Sequence, residues 1–211
     1  LVFEPRMTGL VSISAPPTSE HVRLRLVLEA GSPVPELVFW DRRGLGTLSL
    51  LNPTEFAERL GPHKLGPDAL LLTPDILNDR LGGSRRPIKV ALLDQKAIAG
   101  IGNIYASESL HASKIHPARP CNTLRPREWR KLHKAIDKIL RAAIESEGST
   151  LSDGTYRNAL NAEGNYQNCF RVYDREGERC KRCKGRKQIE RIVQAQRATF
   201  FCPSCQGLDP A

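Results

Sequence analysis

Four cysteines near the C-terminus constrain this chain more than any other feature. Cys180 and Cys183 form one C-x2-C pair, Cys202 and Cys205 a second, and 18 residues separate the pairs. Each pair sets two thiols on one tight turn, and two such turns offer four thiolates to a tetrahedral Zn2+ at about 2.3 Å. The spacer falls in the range of such sites, roughly 15–20 residues. Four thiolates leave no open coordination position, so the expectation is one structural Zn2+ per chain and no other cofactor. A redox C-x-x-C is the rival reading, but two pairs occur together without a βαβ context. Cys121 and Cys169 stand alone. That is not the framework of a secreted disulfide domain, and it points to a reducing, cytoplasmic compartment.

Charge narrows the partners. The 211 residues carry 32 Lys and Arg against 23 Asp and Glu, a formal net charge of +9. From Arg171 to Cys205 there are ten Lys and Arg against four Asp and Glu. A basic segment too short for a core of its own suits a phosphate-facing element, the alternative being a solvated charged surface. No run of about 18 apolar residues occurs, so no membrane-spanning helix is expected. The first residues, Leu1-Val2-Phe3-Glu4, lack a basic region followed by an apolar stretch and do not form a signal peptide.

Periodicity divides the chain. Residues 22–28 alternate apolar and basic as a half-buried strand does, and 37–40 form a second strand. Pro and Gly around residues 61–67 mark a linker. Thr73-Pro74-Asp75 opens a helical region, with Thr as cap and Pro in the first turn. Short helices are expected over 88–94 and 104–112. The longest covers 126–145, where Trp129, Leu132, Ile136, Ile139, Leu140, Ala143 and Ile144 share one face. Residues 169–173 read as a strand, and 178–206 as a Cys-bounded hairpin.

At Ala99-Gly-Ile-Gly-Asn-Ile-Tyr-Ala-Ser-Glu108 the sequence resembles the helix–two-turn–helix domain of the formamidopyrimidine-DNA glycosylase and endonuclease VIII family. Ile88-Lys89 and Leu92-Leu93-Asp94-Gln95 precede this segment, and Ile115-His116-Pro117 follows it. Gln196-Arg197-Ala198-Thr199-Phe200-Phe201-Cys202 resembles that family's zinc finger, and a spacer longer than the family's usual one implies a long or bulged hairpin tip near Lys184 to Lys187. Met7-Thr8-Gly9 and Asp41-Arg42-Arg43-Gly44-Leu45-Gly46 resemble the end of its N-terminal β-sandwich. The resemblance implies an α+β fold in three parts. These are a partial β-sandwich over 1–55, joined by a linker at 56–72 to a helix–two-turn–helix DNA-binding domain over 73–170, and a zinc-finger β-hairpin over 171–207.

It also implies a base-excision-repair glycosylase with abasic-site lyase activity, acting by β,δ-elimination on oxidised purines in double-stranded DNA, as a monomer. A family member acting on oxidised pyrimidines and a non-catalytic lesion-sensing module are the alternatives. By the resemblance, Asn103 and Arg197 grip phosphates beside the lesion, and Arg197 assists δ-elimination. Lys89, Arg85 and His21 match DNA-contacting positions. Met7, Arg43 and Leu45 match the side chains that fill the gap left by a flipped base. Glu163, Gly164, Asn165 and Tyr166 match the loop that closes over the extruded base, Gly164 allowing its movement. The pattern departs at Leu45, where the formamidopyrimidine branch has an aromatic wedge, and at Gly44 and Arg42. The family's nucleophile is an N-terminal proline amine, followed by Glu. Neither is in this sequence, so the chain is expected to open inside the sandwich and to lack excision activity by itself.

Overall fold

The computed structural model describes residues 1–152, 154 and 156–208. The chain falls into two compact units. The first comprises Leu1–Phe56 and Ala142–Cys169, the second Ala57–Arg141 and the chain from Phe170 onward.

In the first unit, β2 (Gly9–Ser12), β3 (Val22–Val27) and β4 (Glu36–Asp41) make an antiparallel sheet in the order β2-β4-β3. β1 (Val2–Glu4) pairs with β5 (Thr47–Ser49) in a separate ribbon. The alternation read in 22–28 is real: Val22, Leu24 and Leu26 are half-buried while Arg23, Arg25 and Val27 face solvent. β4 is the central strand, and its Val38, Phe39 and Trp40 are buried. The described residues of 149–167 form no strand, only an isolated bridge between Ser149 and Asn165. They close on themselves through Gln167, whose carbonyl oxygen accepts from the Thr150 N–H (3.0 Å) while its amide donates to the Gly164 carbonyl (2.7 Å).

The second unit begins within α1 (Pro53–Leu60) and continues through α2 (Pro74–Leu81), α3 (Ile88–Leu92), α4 (Asn103–Ser113) and α5 (Pro126–Glu145), whose last turn passes into the first unit. The expected start of α2 is present: the Thr73 hydroxyl accepts from the Ile76 N–H at 3.2 Å, with Pro74 at the first position. Leu77, Leu81, Ile88, Leu92, Ile101, Leu110, Leu132 and Ile136 form the core of this unit, sealed by Trp129. Ile144, expected on the apolar face of α5, is instead 62% exposed; eight residues beyond Ile136, it is turned about 80° from that face. No helix of the described residues is long and apolar enough to cross a membrane.

The finger is a two-stranded antiparallel ribbon of β6 (Glu190–Gln194) and β7 (Arg197–Phe201). Two sequence expectations change here. The hairpin tip is Ala195–Gln196, not Lys184–Lys187. Both tip residues have positive φ (47° and 60°), as a two-residue turn between twisted strands demands. Lys184 and Gly185 form the turn after the first cysteine pair. Nor is 169–173 a strand. Tyr166–Cys169 is a short 3-10 turn, and the N–H groups of Arg171, Val172 and Tyr173 all meet one carboxylate, which alternating strand N–H groups cannot do.

Candidate phosphate and zinc sites

The four cysteines of the two pairs converge. Their sulfurs all lie within 4.8 Å of one another. Cys180 Sγ is 3.9 Å from Cys205 Sγ, and Cys183 Sγ is 3.8 Å from Cys202 Sγ. Four sulfurs at about 2.3 Å from a tetrahedral centre have edges of about 3.8 Å, which these two separations match, so the four cysteines suit Zn2+. The Lys187 and Arg186 N–H groups help to lower Cys183 to about 6, the Lys187 N–H contributing most, whereas burial raises Cys202 and Cys205. The apolar support is small, consisting of Val172, Ile189 and Phe200 beside Cys180 and Cys202.

Helix α4 holds the finger along its whole length. At its start, Asn103 Nδ2 donates to the Ala198 carbonyl of β7 at 3.0 Å. Further along, the buried Glu108 carboxylate accepts the N–H groups of Arg171 (3.0 Å), Val172 (2.9 Å) and Tyr173 (2.9 Å). Burial pushes this carboxyl above its usual range, against the pull of those amides and of Arg171. Near the C-terminus of α4, His111 Nε2 lies 3.6 Å from Cys180 Sγ. Burial, with the Arg182 and Arg171 charges, lowers His111 to about 4, so the ring is neutral at neutral pH. Arg182 Nη1 donates to the carbonyls of His111 and Ala112, satisfying the end of the helix. Gln206 adds a last tie. It donates to the Ile115 carbonyl (2.8 Å), and its own carbonyl oxygen accepts the Cys202 N–H (2.9 Å).

This docking assembles a cationic cluster. Lys89, on α3, is wholly buried, and its ammonium donates to Asn103 Oδ1 at 2.5 Å and to the Ala198 carbonyl at 3.4 Å. Burial lowers Lys89 to about 8, and the Arg197 charge adds to that effect. A buried ammonium with two neutral acceptors and a cation nearby is short of negative charge. Asn103 does not cap its helix. Gly102 holds the cap position with extended backbone and no capping side chain, which leaves N–H groups of the first turn for an outside acceptor. The turn before it is tight: Gly100 has φ +95°, and its N–H donates to Gln95 Oε1 at 2.9 Å. A Cβ at Gly102 would meet nothing within 4 Å, so the backbone there is open to a ligand. Arg197 is exposed at the start of β7. Lys89, Asn103 and Arg197, far apart in sequence, therefore share one place. Arg85 is exposed on the loop before α3 and makes no contact with the cluster among the described residues.

In the first unit, the expected gap-filling residues are solvent-facing. Met7 is 75% exposed and Leu45 60%, and Arg43 is exposed as well. Asp41 ties their two loops together. Its buried carboxylate accepts from the Thr8 hydroxyl (2.6 Å) and from the N–H groups of Arg43 (3.2 Å) and Gly46 (2.7 Å). Burial raises the Asp41 pKa, but these donors outweigh it and hold the carboxyl below its ordinary value. Sequence reasoning missed Asp41, although Asp with Gly three and five residues on is a turn signal. His21 stacks edge-on against Trp40 at 5.6 Å and lines a cavity of about 240 Å³ with Thr8, Arg42 and Arg157. Of the proposed closing loop, Glu163 pairs with Arg157 at 3.3 Å, Asn165 bridges to Ser149, and Tyr166 is buried. Gly164 serves a close approach in this structure: a Cβ there would lie 2.4 Å from the Gly148 carbonyl oxygen, and its N–H is held by the Thr150 hydroxyl at 2.9 Å.

Comparison with known proteins accords with this geometry. Residues 65–155 match the family description "Formamidopyrimidine-DNA glycosylase H2TH domain", and residues 177–207 match "Zinc finger found in FPG and IleRS". The formamidopyrimidine-DNA glycosylase of Chloroflexus aurantiacus is 44% identical over 208 residues, covering 98% of this chain and 72% of that protein. Among solved structures, the MutM (Fpg) protein of Thermus thermophilus superposes with a TM-score of 0.84 at 39% identity, over 99% of this chain and 76% of that one. The Lactococcus lactis Fpg in complex with DNA containing an abasic site gives a TM-score of 0.82 at 33% identity, over 98% and 74% respectively. With the cysteine cluster, the helical domain and the finger all matched, this chain belongs to the formamidopyrimidine-DNA glycosylase family.

Proposed function

We propose that this chain forms the lesion-side DNA grip of a bifunctional glycosylase acting on oxidised purines in duplex DNA. The observation that carries the reading is the Lys89–Asn103–Arg197 cluster at the uncapped start of α4. A phosphate placed there meets the exposed Arg197 and helix N–H groups, and it brings negative charge beside the buried Lys89 ammonium, which lacks it. The relative crystallised with abasic-site DNA supports the same partner for this chain. Arg197, the exposed member, is proposed to assist δ-elimination at the abasic sugar. Met7, Arg43 and Leu45 are proposed to occupy the gap left by the flipped nucleotide, with Glu163 to Tyr166 beside the extruded base. One Zn2+ held by Cys180, Cys183, Cys202 and Cys205 fixes β7, and through it Arg197 and the Ala198 carbonyl, and takes no part in the chemistry. The protein is proposed to act as a monomer.

The test is binding of zinc-loaded protein to a duplex with an abasic-site analogue. Asn103→Ala and Arg197→Ala should each weaken it by roughly 10- to 150-fold, since a hydrogen bond to a charged group contributes about 1.5–3 kcal/mol. Affinity should also fall as pH rises through about 8, where Lys89 loses its proton in the free protein, and Lys89→Met should abolish that dependence. Parent-like affinity in both alanine variants at matched salt would refute the grip.

A further inference from the structure

Helix α5 carries a charged face that the cluster at α3, α4 and β7 does not use. Arg127, Arg130, Lys131, Lys134, Lys138 and Arg141 are all exposed. At 3.6 residues per turn, the six fall within an arc of about 100° and extend over about 21 Å. They lie opposite Trp129, Leu132, Ile136 and Leu140, which enter the core. Among the described residues, only Arg141 has an ion-pair partner, Asp137 at 2.8 Å. Like charges recur four apart at Arg127–Lys131, Arg130–Lys134 and Lys134–Lys138, a spacing that destabilises a helix by itself. No large apolar side chain interrupts the arc, so the face lacks what a helix needs to lie in a lipid surface.

We infer that this face of α5 is a second phosphate-binding surface for duplex DNA, separate from the Lys89–Asn103–Arg197 cluster. The inference rests on the proposed DNA-binding role. A straight, rigid row of cations about 21 Å long suits the duplex backbone, which presents a charge every ~1.7 Å along its axis. Such a surface adds sequence-independent, salt-sensitive affinity and leaves lesion preference to the cluster.

The experiment compares the parent, a four-site variant (Arg127→Gln, Arg130→Gln, Lys134→Gln and Lys138→Gln) and Asn103→Ala/Arg197→Ala, all zinc-loaded. Binding to undamaged and abasic duplexes is followed by fluorescence anisotropy from low to moderate salt. Each phosphate contact contributes about 0.9 to the log–log salt slope. The four-site variant should therefore lose about two to four units of slope on undamaged duplex while keeping the parent's ratio of abasic to undamaged affinity within about twofold. The cluster variant should lose that ratio and keep most of the slope. Because the four side chains are exposed, the far-ultraviolet circular dichroism and melting temperature of the four-site variant should match the parent's. An unchanged slope would overturn the inference, as would a fall in slope accompanied by loss of the ratio. Loss of sedimentation with phosphatidylserine vesicles at unchanged DNA slope would place lipid on this face and overturn it as well. If the parent itself shows no abasic preference, the reading of the cluster fails, and the slope comparison still decides the role of α5.

Discussion

Stripping the metal with a thiol-specific chelator is expected to unfold the finger and leave α5 intact. The finger's own apolar cluster consists of Val172, Ile189, Phe200 and two of its cysteines, too little apolar area to hold a ribbon of two five-residue strands. Structural zinc in comparable small modules contributes on the order of 10–16 kcal/mol, so its loss exceeds anything this cluster can replace. The second core is independent, with Leu77, Leu92, Leu110 and Leu132 wholly buried. Hydrogen exchange should thus show protection lost across β6 and β7 and kept in α5 between Trp129 and Leu140. The proposed phosphate site should fail at the same time, because Asn103 and Lys89 both lean on the Ala198 carbonyl of β7. Elemental analysis should give one zinc per chain. Retained protection in the ribbon of metal-free protein would show that zinc does not hold it.

Replacing Glu108 by Ala should be the most damaging single change in α4. The carboxylate gathers three backbone N–H groups from one short segment, and no other acceptor among the described residues stands near them. Each buried donor left without a partner costs about 1–3 kcal/mol, so the total loss is on the order of 3–5 kcal/mol after some water entry. Glu108→Gln should fall between, because its one carbonyl can still serve Val172 and Tyr173 while its amide faces the Arg171 N–H. Urea unfolding should show the midpoint dropping in that order with little change in slope. A midpoint for Glu108→Ala within error of the parent would mean that residues 171–173 are held by something else.

The zinc ligands and Glu108 mark what sequence shows and what it conceals. The zinc ligands are legible because thiolate geometry imposes a spacing. α5 is legible because one face is apolar and the other charged, so its 3.6-residue period stands out. α4 is recognised by its motif and not by its period. Both of its faces are occupied: Ala106 and Leu110 enter the apolar core, while Asn103, Glu108 and His111 meet the finger. A helix buried on a polar side shows no amphipathic pattern, and nothing local says where Glu108 finds its three donors. The same contact explains why 169–173, apolar and aromatic enough for a strand, is none. The Asp41–Thr8 bond joining the Met7 and Leu45 loops is equally long-range, across 33 residues. Lys89 is marked in sequence only through the family resemblance, and nothing local shows its burial or its contact with the Ala198 carbonyl of β7, more than a hundred residues away.

The proposed site for a phosphate of damaged DNA lies at the start of α4, between Lys89, Asn103 and Arg197. Its most direct test is a titration of 15N-labelled, zinc-loaded protein with an abasic-analogue duplex, followed by amide shifts at a salt concentration that screens non-specific contacts. The largest shifts are expected on Gly102, Asn103 and Ile104 and on Arg197 and Ala198. Saturable binding with those amides unmoved, and the largest shifts elsewhere, would contradict it.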